Sequence, residues 1–153
     1  MSAMRGLVLL AIGACGSPPV VPVRAVAVAA PARCTVIAPG TALRDAARVP
    51  GARLCLAPGR HEGPIVLAPH AIVWGPPAAV IDRREGGTVV EVGTDAAIEG
   101  VTLDGRGGIF DREDAAVRLA GDGARVEGVT IVDAVFGVLA ERVARVTIRG
   151  NRI

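Results

Sequence analysis

Lysine, tyrosine and glutamine are absent from this chain, asparagine occurs only as Asn151, and the only serines are Ser2 and Ser17. A Ser-His-Asp hydrolase needs an activated serine inside the folded body, and none is on offer. Phosphate-cradling loops of the Gly-rich, lysine-bearing kind and Schiff-base enzymes both need a lysine, so neither fits. Aromatic rings are scarce as well, with only Trp74, Phe110 and Phe136. Binding of single-stranded nucleic acid relies on several aromatic platforms beside basic residues, and nucleic acid is not expected as a partner. The three arginines before Cys34 (Arg5, Arg24 and Arg33) have no acid among them. All 15 acids therefore balance the later arginines, and the body is close to neutral. Such a body has no field to attract a phosphate backbone.

What is present is apolar and heavily punctuated. Of 153 residues, 51% are hydrophobic, which suffices for one core, while 20 glycines and 11 prolines demand frequent turns. The apolar residues must then lie in short runs.

Residues 1–15 carry one arginine, an apolar run from Gly6 to Ile12, and then small residues ending at Cys15. That order is the order of an export signal, and the run is far short of the ~20 residues that span a bilayer. Ile12-Gly13-Ala14-Cys15 resembles a bacterial lipobox, which implies lipidation of Cys15 and a cell-envelope location. The only membrane contact expected is that lipid anchor. Cleavage before Pro31, giving a soluble secreted protein, is the alternative. Residues 16–33 hold Pro18, Pro19, Pro22 and Pro31 among small residues and read as an extended tether. In an exported chain the two remaining cysteines, Cys34 and Cys55, are expected to pair. The loop of about 21 residues that they close is worth about 3 kcal/mol in the chain-entropy view.

The body, residues 34–153, repeats. Ala97-Ile98-Glu99-Gly100-Val101-Thr102-Leu103 returns as Arg125-Val126-Glu127-Gly128-Val129-Thr130-Ile131. It returns more loosely as Thr147-Ile148-Arg149-Gly150-Asn151-Arg152-Ile153, and an earlier copy begins at Ile72-Val73-Trp74-Gly75. Copies recur every ~22–28 residues, with short β-branched segments between them, which is one turn of a solenoid. Stacking then places Val101, Val129 and Asn151 in one column and Leu103, Ile131 and Ile153 in the next. Glu99, Glu127 and Arg149 form a third column, expected on a wet outward face because adjacent carboxylates repel by about 1 kcal/mol even in water. Thr41–Arg48, with Thr41 as its cap, reads as a short helix before the first turn. Ile153 sits in a stacking column with no polar cap after it, so the coil is expected to continue. A β-sandwich also shows short strands at regular spacing and is the competing architecture.

Arg53-Leu54-Cys55-Leu56-Ala57-Pro58-Gly59-Arg60-His61-Glu62-Gly63, following that helix, resembles the first rung of the pectate-lyase-like right-handed parallel β-helices. Glu141-Arg142-Val143-Ala144-Arg145-Val146-Thr147-Ile148-Arg149-Gly150-Asn151-Arg152-Ile153 resembles their later rungs. The resemblance implies an all-β, right-handed, single-stranded parallel β-helix with a short N-terminal capping helix. His61 stands where that pattern has tyrosine, and Ala52 where it has aspartate. The scaffold hosts lyases, hydrolases, epimerases and non-catalytic members, so it does not set the chemistry.

Asp82 and Asp104 end matching strands in successive copies, as a glycosidase acid/base pair or lyase-like calcium ligands would, or simply as turn residues. The next copy carries Val132 there. Asp111, Glu113 and Asp114, with Arg112 among them, make an acidic loop with weak calcium-ligand character, and no cofactor is otherwise expected. His61, Glu62 and His70 are the remaining metal candidates, two imidazoles and a carboxylate. Two functions compete: a non-catalytic envelope module binding a polysaccharide or protein partner, and a carbohydrate-active lyase or hydrolase using Asp82 and Asp104.

Overall fold

The computed structural model describes residues 26–153 apart from Glu85. Residues 1–25, which include the segment read as a leader and Cys15, lie outside the described residues. The chain enters through β1 (Thr35–Ile37) and α1 (Leu43–Ala47), and the first turn contains β2 (Arg53–Leu56), β3 (Gly59–Gly63) and β4 (Ile65–Leu67). The second contains β5 (Ile72–Trp74), β6 (Ala79–Arg83) and β7 (Val90–Val92). The third contains β8 (Ala97–Glu99), β9 (Thr102–Asp104) and β10 (Ala115–Leu119). The fourth contains β11 (Arg125–Glu127), β12 (Thr130–Val132) and β13 (Phe136–Ala140), and β14 (Thr147–Arg149) opens a fifth. Every strand pairing is parallel, and each strand pairs with its counterpart one turn away. Three sheets result, in the orders β1-β2-β5-β8-β11-β14, β3-β6-β9-β12 and β4-β7-β10-β13. The chain is therefore a parallel β-solenoid, and the sandwich is excluded.

Alternation within each short strand sends every second side chain inward. The interior is built from like-on-like columns: Leu54, Val73, Ile98 and Val126 from the first sheet. His61, Ile81, Leu103 and Ile131 come from the second, and Ile65, Val90, Val117 and Val138 from the third. Ile81, Leu103 and Val117 are fully buried, so truncating such a leucine to alanine costs about 2–5 kcal/mol. Val101 and Val129 are buried at the corner between the first and second sheets. Asn151, in the same column, bonds to the backbone instead. Its amide donates to Val126 O (3.0 Å), and its Oδ1 accepts from the Val129 amide (2.9 Å).

Helix α1 is shorter than expected, and Thr41 does not cap it. Ala42 holds the N-cap position without a side-chain hydrogen bond, because Thr41 is already turned into a bend, its amide bonded to Ala38 O. Burial of Leu43 and Ala47 against the first turn holds the helix in place. Cys34 and Cys55 are disulfide-bonded, with Cα atoms 5.6 Å apart, tying the entry segment to β2.

Residues 26–30 run outside the coil and across its turns. The Val26 amide donates to Gly150 O in the fifth turn (2.9 Å), and Trp74 Nε1 in the second turn donates to Val28 O (2.8 Å). This strap lies over the glycine column of the repeat. Gly128 and Gly150 have φ of +62° and +64°, and a Cβ on either would collide with Val26.

Candidate functional site

The residue after each inward member of the second sheet points out, so Glu62, Asp82, Asp104 and Val132 are register partners on β3, β6, β9 and β12. The fold thus brings Asp82 and Asp104 onto adjacent rungs and adds Glu62 to them. Arg60, two residues before Glu62 and on the same face, reaches across this ladder. One of its nitrogens, Nη1, lies 2.8 Å from Asp82 Oδ2 and 3.6 Å from Asp104 Oδ2. The hydrogen bond and charge of Asp82, helped by Asp104, push the Arg60 pKa above its ordinary value. Asp104 is almost covered, and its Oδ1 accepts from the Arg106 amide at 3.1 Å. The Arg106 guanidinium lies 3.6 Å from Asp104 and 3.4 Å from Asp133. At the other end, Glu62 stands 3.9 Å from both Arg44 and Arg84. It forms a shared wall of two clefts. One, of about 400 Å³, is bounded by Gly40–Asp45, and the other, of about 260 Å³, by Gly63, Pro64 and Arg84. Exposed ion pairs contribute only about 0–1 kcal/mol to stability. The strip holds side chains in position more than it holds the fold together.

Beyond Asp104 the chain leaves β9 through a long loop, residues 105–114, pinned from below by Arg83. This arginine is 8% exposed and donates to the carbonyls of Gly87, Gly105 and Arg106. Asp114 secures the far end, its Oδ2 accepting from the Ile109 amide at 3.0 Å. Burial alone would raise the Asp114 pKa, but the amides of Ile109 and Gly87 with Arg112 and Arg83 outweigh it and hold it low. Asp114 is thus committed to its own loop, while Asp111 and Glu113 are exposed beside Arg112. The calcium set is not assembled, and no group of three or more His, Cys, Asp or Glu among the described residues is placed to hold a metal ion.

The imidazole candidates are also dispersed. His61 is 1% exposed inside the first rung, its Nε2 2.8 Å from Ala57 O and its Nδ1 unpaired. Donation to a carbonyl places the proton on Nε2, leaving Nδ1 as a buried lone pair. His61 therefore fills an interior position under Ile81. Glu62 points away from it, and His70 is exposed near Asp95.

The column of Glu99, Glu127 and Arg149 corrects the expected wet face. The register is as expected, yet Glu99 and Glu127 are only 8% and 7% exposed. Arg125 lies 3.5 Å from Glu99 and 3.6 Å from Glu127, Arg149 lies 2.5 Å from Glu127, and the strap adjoins Glu127. Arg125 covers both acids on the outside, and Arg149 and the strap adjoin Glu127. Burial pushes the Glu99 pKa up, with Arg125 opposing and Glu127 adding to the rise.

Sequence reasoning missed Arg60, Arg83 and Arg106. Strand alternation from Gly59 onward is a signal that places Arg60 beside Glu62. Nothing local marks Arg83 as buried. No family model, curated protein or solved structure matches this chain.

Proposed function

We propose that this chain is a non-catalytic β-helix module of the bacterial cell envelope that holds a glycan along the Glu62-Asp82-Asp104 strip. The reading of residues 1–15 as an export leader with Cys15 as its lipid attachment point, and the likeness of Arg53–Gly63 and Glu141–Ile153 to pectate-lyase-like rungs, support this setting. The observation that carries the reading is Arg60. A glycosidase needs its two carboxylates to face each other across the scissile bond. Here Asp82 and Asp104 stand side by side on adjacent rungs, and one guanidinium nitrogen lies close to both. Alternating carboxylates and guanidiniums offer acceptors and donors in fixed positions, which suits sugar hydroxyls.

Affinity electrophoresis of the folded chain in gels containing xylan, mixed-linkage β-glucan, glycol chitin or polygalacturonate tests this reading. Retardation by at least one polysaccharide is expected, with Arg60→Ala weakening it about tenfold, the equivalent of about 1.4 kcal/mol. Absence of retardation by all four, or an unchanged affinity in Arg60→Ala, contradicts it. The second reading, a lyase or hydrolase using Asp82 and Asp104, draws on the same adjacency and is separated by product formation.

A further inference from the structure

The Glu62-Asp82-Asp104 strip has a closed end. β3 is the terminal strand of the second sheet, and among the described residues no strand pairs with its edge away from β6. The segment from Pro39 to Arg44 crosses that edge from one end to the other. At the start of β3, a Cβ on Gly59 would collide with Pro39. At its end, Arg44 Nη2 donates to Gly63 O at 3.0 Å. Burial of Leu43 and Ala47 fixes the helix that carries Arg44. The crossing segment is therefore held at both ends of β3 and by the core beneath it.

Glu62 stands against this barrier. Its carboxylate lies 3.9 Å from Arg44, and with Gly40–Asp45 it bounds the cleft of about 400 Å³. That volume falls within the range of about 300–1,000 Å³ usual for small-molecule sites. The walls carry the Thr41 hydroxyl, the Asp45 and Glu62 carboxylates and the Arg44 guanidinium. The side chains of Arg44 and Glu62 stay 46% and 55% exposed, which leaves both able to bond a ligand. Across this cleft and the smaller one beside it, Arg44 and Arg84 balance Asp45 and Glu62. On the adjoining strip, Arg60 is paired with Asp82. The balance suits hydroxyl groups better than an ion. A linear ligand lying along the strip crosses rungs about 4.8 Å apart, each close to the length of one pyranose residue. Passing Asp104, Asp82 and then Glu62, it runs into the segment 39–44 and its cleft.

We infer that the Gly40–Asp45 cleft is a terminal subsite, which takes the end residue of a polysaccharide whose following residues lie over Asp82 and Asp104. The inference rests on the glycan-binding reading and adds that the module holds chain ends rather than chain interiors. An end-binding module saturates at one copy per linear chain whatever the chain length. Binding along the interior accommodates more copies on a longer chain. The test is isothermal titration of the folded chain with short and long size fractions of known molar concentration. The probes are debranched xylan, mixed-linkage β-glucan, glycol chitin and polygalacturonate. Arg60→Ala and the cleft-filling Ala42→Trp are titrated in parallel, and thermal unfolding is run on both variants.

For a polysaccharide that binds, one copy is expected per molecule in both the short and the long fraction. Ala42→Trp is expected to lose at least about fivefold in affinity, because Ala42 lines the cleft. Its unfolding midpoint is expected to be unchanged, because Ala42 is exposed. A copy number that rises with chain length overturns the terminal subsite. Full affinity in a folded Ala42→Trp overturns it too. In either case weakened binding by Arg60→Ala leaves the binding reading standing. Should Ala42→Trp fail to fold, the copy number alone decides. Binding to none of the four polysaccharides overturns both.

Discussion

Glu99 and Glu127 are partners on adjacent rungs, both more than nine-tenths buried, with Arg125 reaching each of them. Burial raises the Glu99 pKa above the ordinary glutamate value, so its charged form is less favoured in the folded chain than in the unfolded one. Its contribution to stability is fully present when it is protonated and is lost as pH rises through the folded-state pKa. Glu99→Gln is therefore expected to raise the unfolding midpoint near neutral pH, because it removes a buried charge, with relief of repulsion from Glu127 adding to the gain and loss of the Arg125 pairing subtracting from it. The gain should vanish below about pH 4, where glutamate is largely protonated in both states. Thermal unfolding at both pH values checks this. A lower midpoint near neutral pH would show that the Arg125 pairing outweighs burial.

The strap sets a different requirement on the glycines beneath it. Gly128→Ala combines a left-handed backbone, costing about 1–2 kcal/mol for a residue with a Cβ, with a collision against Val26 and Val28. Gly107→Ala has a comparable φ of +78° but open space around it. Urea unfolding should show Gly128→Ala to be the more destabilised of the two. It should also show faster proteolysis within residues 26–30 than the wild type. Equal losses in the two variants, with no change in proteolysis, would mean that the strap contributes nothing to the fold.

Arg83 organises the loop between β9 and β10. Arg83→Met leaves the carbonyls of Gly87, Gly105 and Arg106 without their charged donor, a loss of about 1.5–3 kcal/mol per hydrogen bond at most, because water can replace some of them. Limited proteolysis should locate new cleavage between Gly105 and Asp114, with the stacked columns on either side resistant. Cleavage spread evenly over the turns would place Arg83 in global stability instead.

The solenoid was legible because its signal is repeated. Gly75, Gly100, Gly128 and Gly150 mark one corner four times, and the strands around them fix which side chain stacks on which. Asp82 beside Asp104 follows from that alignment alone. The burial of Glu127 does not, because part of what covers it is a segment whose sequence carries no mark of its docking site. The stacking of Phe110 on Phe136 is hidden for a related reason. The loop between β9 and β10 is much longer than the turn between β12 and β13, so repeat alignment gives no register between them. Arg83 looks like any strand-end arginine until the loop folds over it.

Binding without cleavage is the core of the functional account, and product analysis tests it most directly. The folded chain is incubated to saturation with whichever polysaccharide retards it. Reducing ends and unsaturated uronate absorbance are then followed over many hours, with and without calcium. The account predicts a stable complex and no rise above the protein-free control. A time-dependent rise that disappears in Asp104→Asn would contradict it and make Asp82 and Asp104 a catalytic pair.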